Sequence, residues 1–125
     1  MNVVDSSGWL EYFAKDVNAS FFAPIIEATD QLIVPSITLY EVFKRVLILR
    51  GEELALQVIA LMTRGRVVDL DMTLALESAK LSASLKLPMA DSVILSTAYS
   101  TGATLWTQDA DLAGLPGVEY ILKPS

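Results

Sequence analysis

Short apolar runs alternate with longer segments of helical periodicity along the whole chain. Five runs rich in Val, Ile and Leu predict strands: NVVD from Asn2, QLIVP from Gln31, RVVDL from Arg66, ATLW from Ala103 and VEYIL from Val118. Six intervening segments predict helices: Ser7 to Ala14, Ser20 to Ala28, Ser36 to Arg50, Glu52 to Arg64, Thr73 to Lys86 and Ala90 to Ser100. This alternation predicts one α/β domain over residues 1–125, with a parallel sheet of four to five strands and helices on both faces.

Four acidic residues lie where an apolar run meets the start of a helical segment. Asp5 and Asp109 fall at or just past strand ends, and Glu41 and Asp91 fall in the first turns of helices. In open parallel sheets, ligands bind outside the carboxyl ends of the strands. We therefore expect the four carboxylates to converge on one edge of the sheet, although they are 36, 50 and 18 residues apart in sequence.

The residue types that are missing indicate what would hold such a cluster together. Carboxylates taken out of water need a partner. The chain has no His and no Cys, and its nine Lys and Arg lie mostly away from the four acids. A divalent cation is the most economical partner, and oxygen ligands suit Mg²⁺ or Mn²⁺.

Each acid also has an ordinary structural explanation. Asp5 and Asp109 are suited to cap helices. Thr38 to Glu41 spells a capping box of the T-x-x-E type, which alone would explain Glu41. Asp91 is the hardest to explain in this way, because it lies in an apolar stretch without a basic residue close to it.

Three further residues are candidates for a supporting role. Asp111 follows Asp109 by two positions and is either a fifth ligand or a solvated neighbour, and we favour the neighbour. The hydroxyl groups of Ser6 and Thr107 are placed to orient bound water or phosphate, although Ser and Thr beside Asp are ordinary in turns.

Composition bounds the partners and the compartment. A net charge of −6 is unfavourable for binding nucleic acid, but bound cations would reverse the local sign. The mean hydropathy of +0.47 is high, which predicts that a homodimer, a heteromeric partner or both cover apolar surface. The absence of Cys, of a basic segment before an apolar one at the N-terminus and of a membrane span predicts a cytoplasmic protein.

Taken in order, the motifs resemble the PIN-domain family, specifically the small VapC-like ribonuclease toxins of prokaryotic toxin–antitoxin pairs. The matching elements are V-V-D-S-S with Asp5, L-Y-E with Glu41, L-P-M-A-D-S-V-I-L with Asp91 and L-W-T-Q-D-A-D-L with Asp109. The resemblance implies a three-layer α/β/α sandwich, acids that together bind Mg²⁺ or Mn²⁺, and a cognate antitoxin that blocks the site. The family commonly has an aromatic residue where this chain has Leu112.

The resulting hypothesis is a metal-dependent endoribonuclease that hydrolyses phosphodiester bonds, with Asp5, Glu41, Asp91 and Asp109 as ligands. Without His or Cys, imidazole and thiol catalysis are excluded, and the cation would activate the attacking water. Two alternatives belong to other classes. One is a PIN-like protein with a binding-only regulatory or an RNA-processing role. The other is a phosphoacceptor module of the receiver type, for which Asp69 is late in the chain and the expected Lys is missing.

Overall fold

The computed structural model describes all 125 residues and contains five strands and six α-helices, which confirms the predicted alternation. In chain order these are β1 (Asn2–Val4), α1 (Ser6–Ala14), α2 (Ala19–Glu27), β2 (Leu32–Pro35), α3 (Ser36–Arg50), α4 (Glu52–Met62), β3 (Arg66–Val68), α5 (Met72–Leu85), α6 (Met89–Thr101), β4 (Thr104–Thr107) and β5 (Val118–Tyr120). Two 3-10 helices, at Thr29–Gln31 and Ala110–Leu112, were not predicted.

The strands form one parallel sheet in the order β3-β2-β1-β4-β5. From β1 the chain moves outward to β2 and β3, and it then returns to place β4 on the other side of β1. The direction of winding therefore reverses between β1 and β4, which is where sheets of this kind bind ligands. β3 is an edge strand, so Asp69 does not follow a middle strand as a receiver-type phosphoacceptor would.

Alternating side chains of the strands build a core on each face of the sheet. Val3 and Ile33 pack with the α6 residues Ile94 and Leu95 on one face. On the other face, Val4, Leu32 and Val34 pack with residues of α1 to α4, including Trp9, Phe22, Val42 and Met62. This is the three-layer α/β/α sandwich, and its two cores hold the strand ends rigidly.

Gly8 allows α1 to pack closely beside the end of β1. A Cβ atom at this position would lie 2.7 Å from Phe22 Cε1 and 2.7 Å from Val4 Cγ1, well inside van der Waals contact. Only a residue without a side chain fits here without displacing a neighbour. The first turn of α1, which carries Ser6 and Ser7, is thereby held close to the sheet edge.

The longest helix, α3, has 15 residues, and no helix combines the length and apolar composition needed to cross a membrane. Large apolar side chains are nevertheless exposed on the helical layers. Ile48 and Leu49 on α3, Met72 on α5 and Met89 on α6 each expose more than half of their surface.

Candidate metal centre

The carboxyl ends of β1 and β4 lie side by side and bring the first and last acids of the site together. Val4 is paired with Trp106, and the Asp5 amide donates to the Trp106 carbonyl at 3.2 Å. Asp5 follows β1 directly, and Asp109 follows β4 after one residue. Two residues separated by 104 positions in sequence thus project from the same edge.

Asp5 is buried, with 3% of its surface exposed, and its carboxylate is densely hydrogen bonded. One oxygen accepts from the Gly8 amide at 3.1 Å, which caps α1 as a structural explanation predicts. Ser7 Oγ donates to both carboxylate oxygens, at 2.9 and 3.0 Å. Helix capping explains the hydrogen bond from the Gly8 amide, but it does not explain why the Asp5 side chain is buried.

Thr107 links Asp5 to Asp109. Its fully buried hydroxyl donates to Asp5 Oδ2 at 2.8 Å and accepts from the Asp109 amide at 2.8 Å. The single hydroxyl therefore fixes the distance between the carboxylate of one acid and the backbone of the other. The role that the sequence suggested for Thr107, orienting bound water or phosphate, stays a prediction.

Glu41 reaches the site through Ser6. Ser6 Oγ donates to Glu41 Oε1 at 2.6 Å, and Ser6 directly follows Asp5. The capping-box explanation for Glu41 is wrong, because α3 begins at Ser36 straight after β2. Thr38 lies inside the helix and donates instead to the Pro35 carbonyl at 2.6 Å.

Asp91, Asp109 and Asp111 form the tightest acidic group of the molecule. One carboxylate oxygen from each lies within 4.8 Å of the others, an arrangement that can hold a metal ion. Asp91 stands in the first turn of α6, and Asp109 accepts from the Asp111 amide at 2.9 Å at the start of the 3-10 helix. Asp111, for which we favoured a solvated neighbour, is exposed but belongs to this group, whereas Asp5 and Glu41 do not.

The site concentrates negative charge. Burial raises the pKa of Asp5 to about 6, because its effect is larger than the opposing effect of the hydrogen bonds from Thr107, Ser7 and Gly8. Burial, followed by the charges of Asp109, Asp5 and Asp111, raises the pKa of Asp91 to about 7. The ion pairs of the protein involve Glu77, Lys80, Glu11, Asp16 and Lys123, so no basic side chain neutralises these acids.

The donor set matches a hard divalent cation. All candidate ligand atoms are carboxylate oxygens, and the positive charge that would offset them is missing from the protein itself. A Mg²⁺ or Mn²⁺ ion would offset the repulsion among the acids, which adds to the effect of burial in raising the pKa of Asp91. Metal binding by these residues and the identity of the ion stay predictions.

One group of polar residues beside the centre was missed from the sequence. Glu11 on α1 is buried, with 3% of its surface exposed, and contacts Gln108, the residue between Thr107 and Asp109. The available signal was strand alternation, which places Gln108 on the face opposite its two neighbours. The partner of Gln108 could not be read from local sequence, because 97 residues separate it from Glu11.

Comparison with known proteins gives one family. The family model described as PIN domain matches residues 3–118. No curated protein sequence matches significantly.

Solved structures with the same fold come from several bacteria. A toxin–antitoxin complex from Klebsiella pneumoniae superposes with a TM-score of 0.80 at 24% identity, covering 95% of this chain and 96% of that one. DNA-bound VapBC from Salmonella typhimurium gives 0.73 at 21% identity, covering 96% of each chain. VapC20 of Mycobacterium tuberculosis, a sarcin-ricin loop cleaving toxin, gives 0.70 at 15% identity, covering 90% of this chain and 92% of that one.

Proposed function

We propose that this chain, which belongs to the PIN domain family, is a metal-dependent endoribonuclease and the toxin of a type II toxin–antitoxin pair. The observation that carries the proposal is the cluster of acids at the sheet edge where the winding reverses. No basic side chain of the protein forms an ion pair with this cluster. A surface of this charge repels a phosphodiester until cations are bound.

The acids take different roles in this proposal. Asp91 and Asp109 provide ligand oxygens, with Asp111 close enough to add another. Asp5, oriented by Thr107 and Ser7, contributes directly or through water. Glu41, which accepts a hydrogen bond from Ser6, contributes its carboxylate from the α3 side of the site. When bound, the cation supplies a polarised attacking water and neutralises charge on the scissile phosphate.

The test is cleavage of a mixed, structured RNA pool by the partner-free protein in Mg²⁺ or Mn²⁺ and in EDTA. We expect cleavage that needs the metal and is lost in Asp5→Asn and Asp91→Asn, because each substitution removes a charge that holds the cation. Asp69→Asn is the matched control, since Asp69 is an exposed acid outside the cluster. Cleavage that persists in EDTA would contradict the proposal.

The products distinguish this chemistry from other ribonuclease mechanisms. Attack by water, without participation of the 2′-hydroxyl, leaves a 5′-phosphate and a 3′-hydroxyl. End-labelling of the fragments therefore reports the mechanism directly. A 2′,3′-cyclic phosphate would exclude hydrolysis by an activated water.

An apolar groove among the helices supports an antitoxin as the partner. Helices α1, α3 and α4 enclose a groove of about 310 Å³ lined mainly by apolar side chains, together with Arg45 and Arg50. An antitoxin segment with apolar and acidic residues would complement this lining. One structural neighbour comes from a toxin–antitoxin complex, and another comes from DNA-bound VapBC. Co-expressed antitoxin should suppress cleavage, and Leu49→Glu in the exposed part of the groove should relieve the suppression. The homodimer stays a prediction.

A further inference from the structure

Glu11 is a buried carboxylate that lies outside the metal centre and has a complete set of donors. Its Oε1 accepts from Lys123 Nζ at 2.6 Å and from Gln108 Nε2 at 3.1 Å. Its Oε2 accepts from the Asn18 amide at 2.9 Å. The hydrogen bonds from Lys123, Asn18 and Gln108 outweigh the effect of burial and lower the pKa of Glu11, so the group stays charged at neutral pH.

Gln108 is held at both ends of its side-chain amide. Its Nε2 donates to Glu11, and its Oε1 accepts from Asn18 Nδ2 at 3.0 Å. Such a side chain has one orientation, because its donor and its acceptor have different partners.

The position of Gln108 in the chain connects this network to the metal centre. Gln108 lies between Thr107, whose hydroxyl binds Asp5, and Asp109, a member of the acidic cluster. Successive side chains of an extended segment point to opposite sides. Fixing Gln108 on the α1 side therefore directs its two neighbours towards the acids.

The C-terminal segment completes the arrangement. Asn18 Nδ2 donates to the Leu122 carbonyl at 3.3 Å, and the Ile121 amide donates to the Thr107 carbonyl at 3.0 Å. The chain after β5 thus runs beside Thr107 and delivers the ammonium of Lys123 to Glu11. Without that charge, burial of the Glu11 carboxylate would be costly.

We propose that Glu11 is a positioning residue of the metal centre, which acts through Gln108 to hold Thr107 and Asp109 in place against the mutual repulsion of the acids. Groups behind the ligands of a metal site contribute to affinity by fixing ligand orientation. The role as part of a nuclease rests on the proposed function, but positioning is measurable by metal binding alone.

The experiment is calorimetric titration of Mn²⁺ into the full chain carrying Gln108→Met, Glu11→Gln or both. Gln108→Met keeps the length of the side chain and removes its hydrogen bonds to Glu11, Asn18 and the Ser7 carbonyl. We expect Mn²⁺ affinity to fall on the order of 10-fold in Gln108→Met, while circular dichroism shows a folded protein. Because Glu11 acts through Gln108, adding Glu11→Gln to Gln108→Met should weaken binding no further.

Glu27→Gln is the control. Glu27 also accepts a hydrogen bond from a residue of α1, the Tyr12 hydroxyl at 2.9 Å, but it does not contact Gln108. It should leave Mn²⁺ affinity unchanged. Unchanged affinity in folded Gln108→Met or in folded Glu11→Gln would overturn the proposal, and so would additive losses in the double variant. A wild-type protein that binds Mn²⁺ but cleaves no RNA would reject the nuclease function and leave the positioning role standing.

Discussion

At the scale of single residues, the raised pKa values of Asp5 and Asp91 make stability depend on pH in a defined direction. Both carboxyls bind protons more tightly in the folded than in the unfolded chain, with folded pKa values of about 6 and about 7 against an ordinary 3.8. Where the folded state binds more protons, stability falls as pH rises. The metal-free protein should therefore lose stability from about pH 4 to pH 7.

Thermal unfolding in EDTA at about pH 5 and at about pH 7.5 measures this loss of stability. Asp91→Asn should flatten the dependence, because it removes one of the two titrating groups. Mn²⁺ should raise the melting temperature most at the higher pH, where the cluster is fully charged. A pH dependence that is the same in the wild type and in Asp91→Asn would contradict the raised pKa of Asp91.

Asp109 and Asp111 offer a second prediction at this scale, because they differ in how firmly they are held. Asp109 is half-buried and its amide is bound by Thr107, whereas Asp111 is exposed. A preorganised ligand contributes more than a mobile one. We expect Asp109→Asn to reduce the cleavage rate by roughly 100-fold or more and Asp111→Asn by less than about 10-fold. Equal losses in single-turnover assays would make the two acids equivalent ligands.

At the scale of elements, the sequence indicated which segments form helices and strands better than where they join. Periodicity predicts all six helices because each has an apolar face that packs on the sheet. The capping-box interpretation failed because β2 runs into α3 without a loop, as the predicted strand ending at Pro35 and the predicted helix from Ser36 already required, so Thr38 lies inside the helix. The 3-10 turn at Ala110–Leu112 was too short for periodicity to detect, and it is this turn that places Asp111 beside Asp109.

The packing of α1 gives a prediction for stability. Gly8→Ala would introduce a Cβ atom 2.7 Å from atoms of Phe22 and Val4, so α1 or its neighbours must move. Overpacking of this kind costs roughly 1–3 kcal/mol. Urea unfolding measures the cost, and Phe22→Leu should recover part of it in the double variant, because the nearest ring atoms are removed. Strictly additive effects would show that the contact with Phe22 does not carry the cost.

At the scale of the whole molecule, convergence of the acids is a property of the topology. Strand ends could be predicted locally, and parallel strands place their carboxyl ends at one edge. The reversal of winding between β1 and β4, which brings Asp5 beside Asp109, needs the order of the strands. The Glu11–Lys123 pair was beyond sequence reasoning for the same reason, since 112 residues separate the partners and neither lies in a motif.

That pair ties the first helix to the end of the chain and gives a prediction for the stability of the molecule as a whole. Lys123→Met keeps the length of the side chain but leaves the buried Glu11 carboxylate without its cation. We expect the melting temperature at neutral pH to fall by roughly 5 °C. Lys80→Met is the matched control, because Lys80 pairs with Glu77 on the exposed surface at 3.6 Å and such pairs contribute little.

The pH dependence of the difference between wild type and Lys123→Met tests the cause. The pKa of Glu11 is lowered in the folded protein, so its contribution is present above the ordinary value of 4.5 and is lost as pH falls through the folded pKa. The difference in melting temperature should therefore shrink in acid, the opposite direction to the effect of Asp5 and Asp91. A difference that persists unchanged after Glu11 is protonated would mean that Lys123 stabilises the protein by packing of its aliphatic stem, without an ion pair.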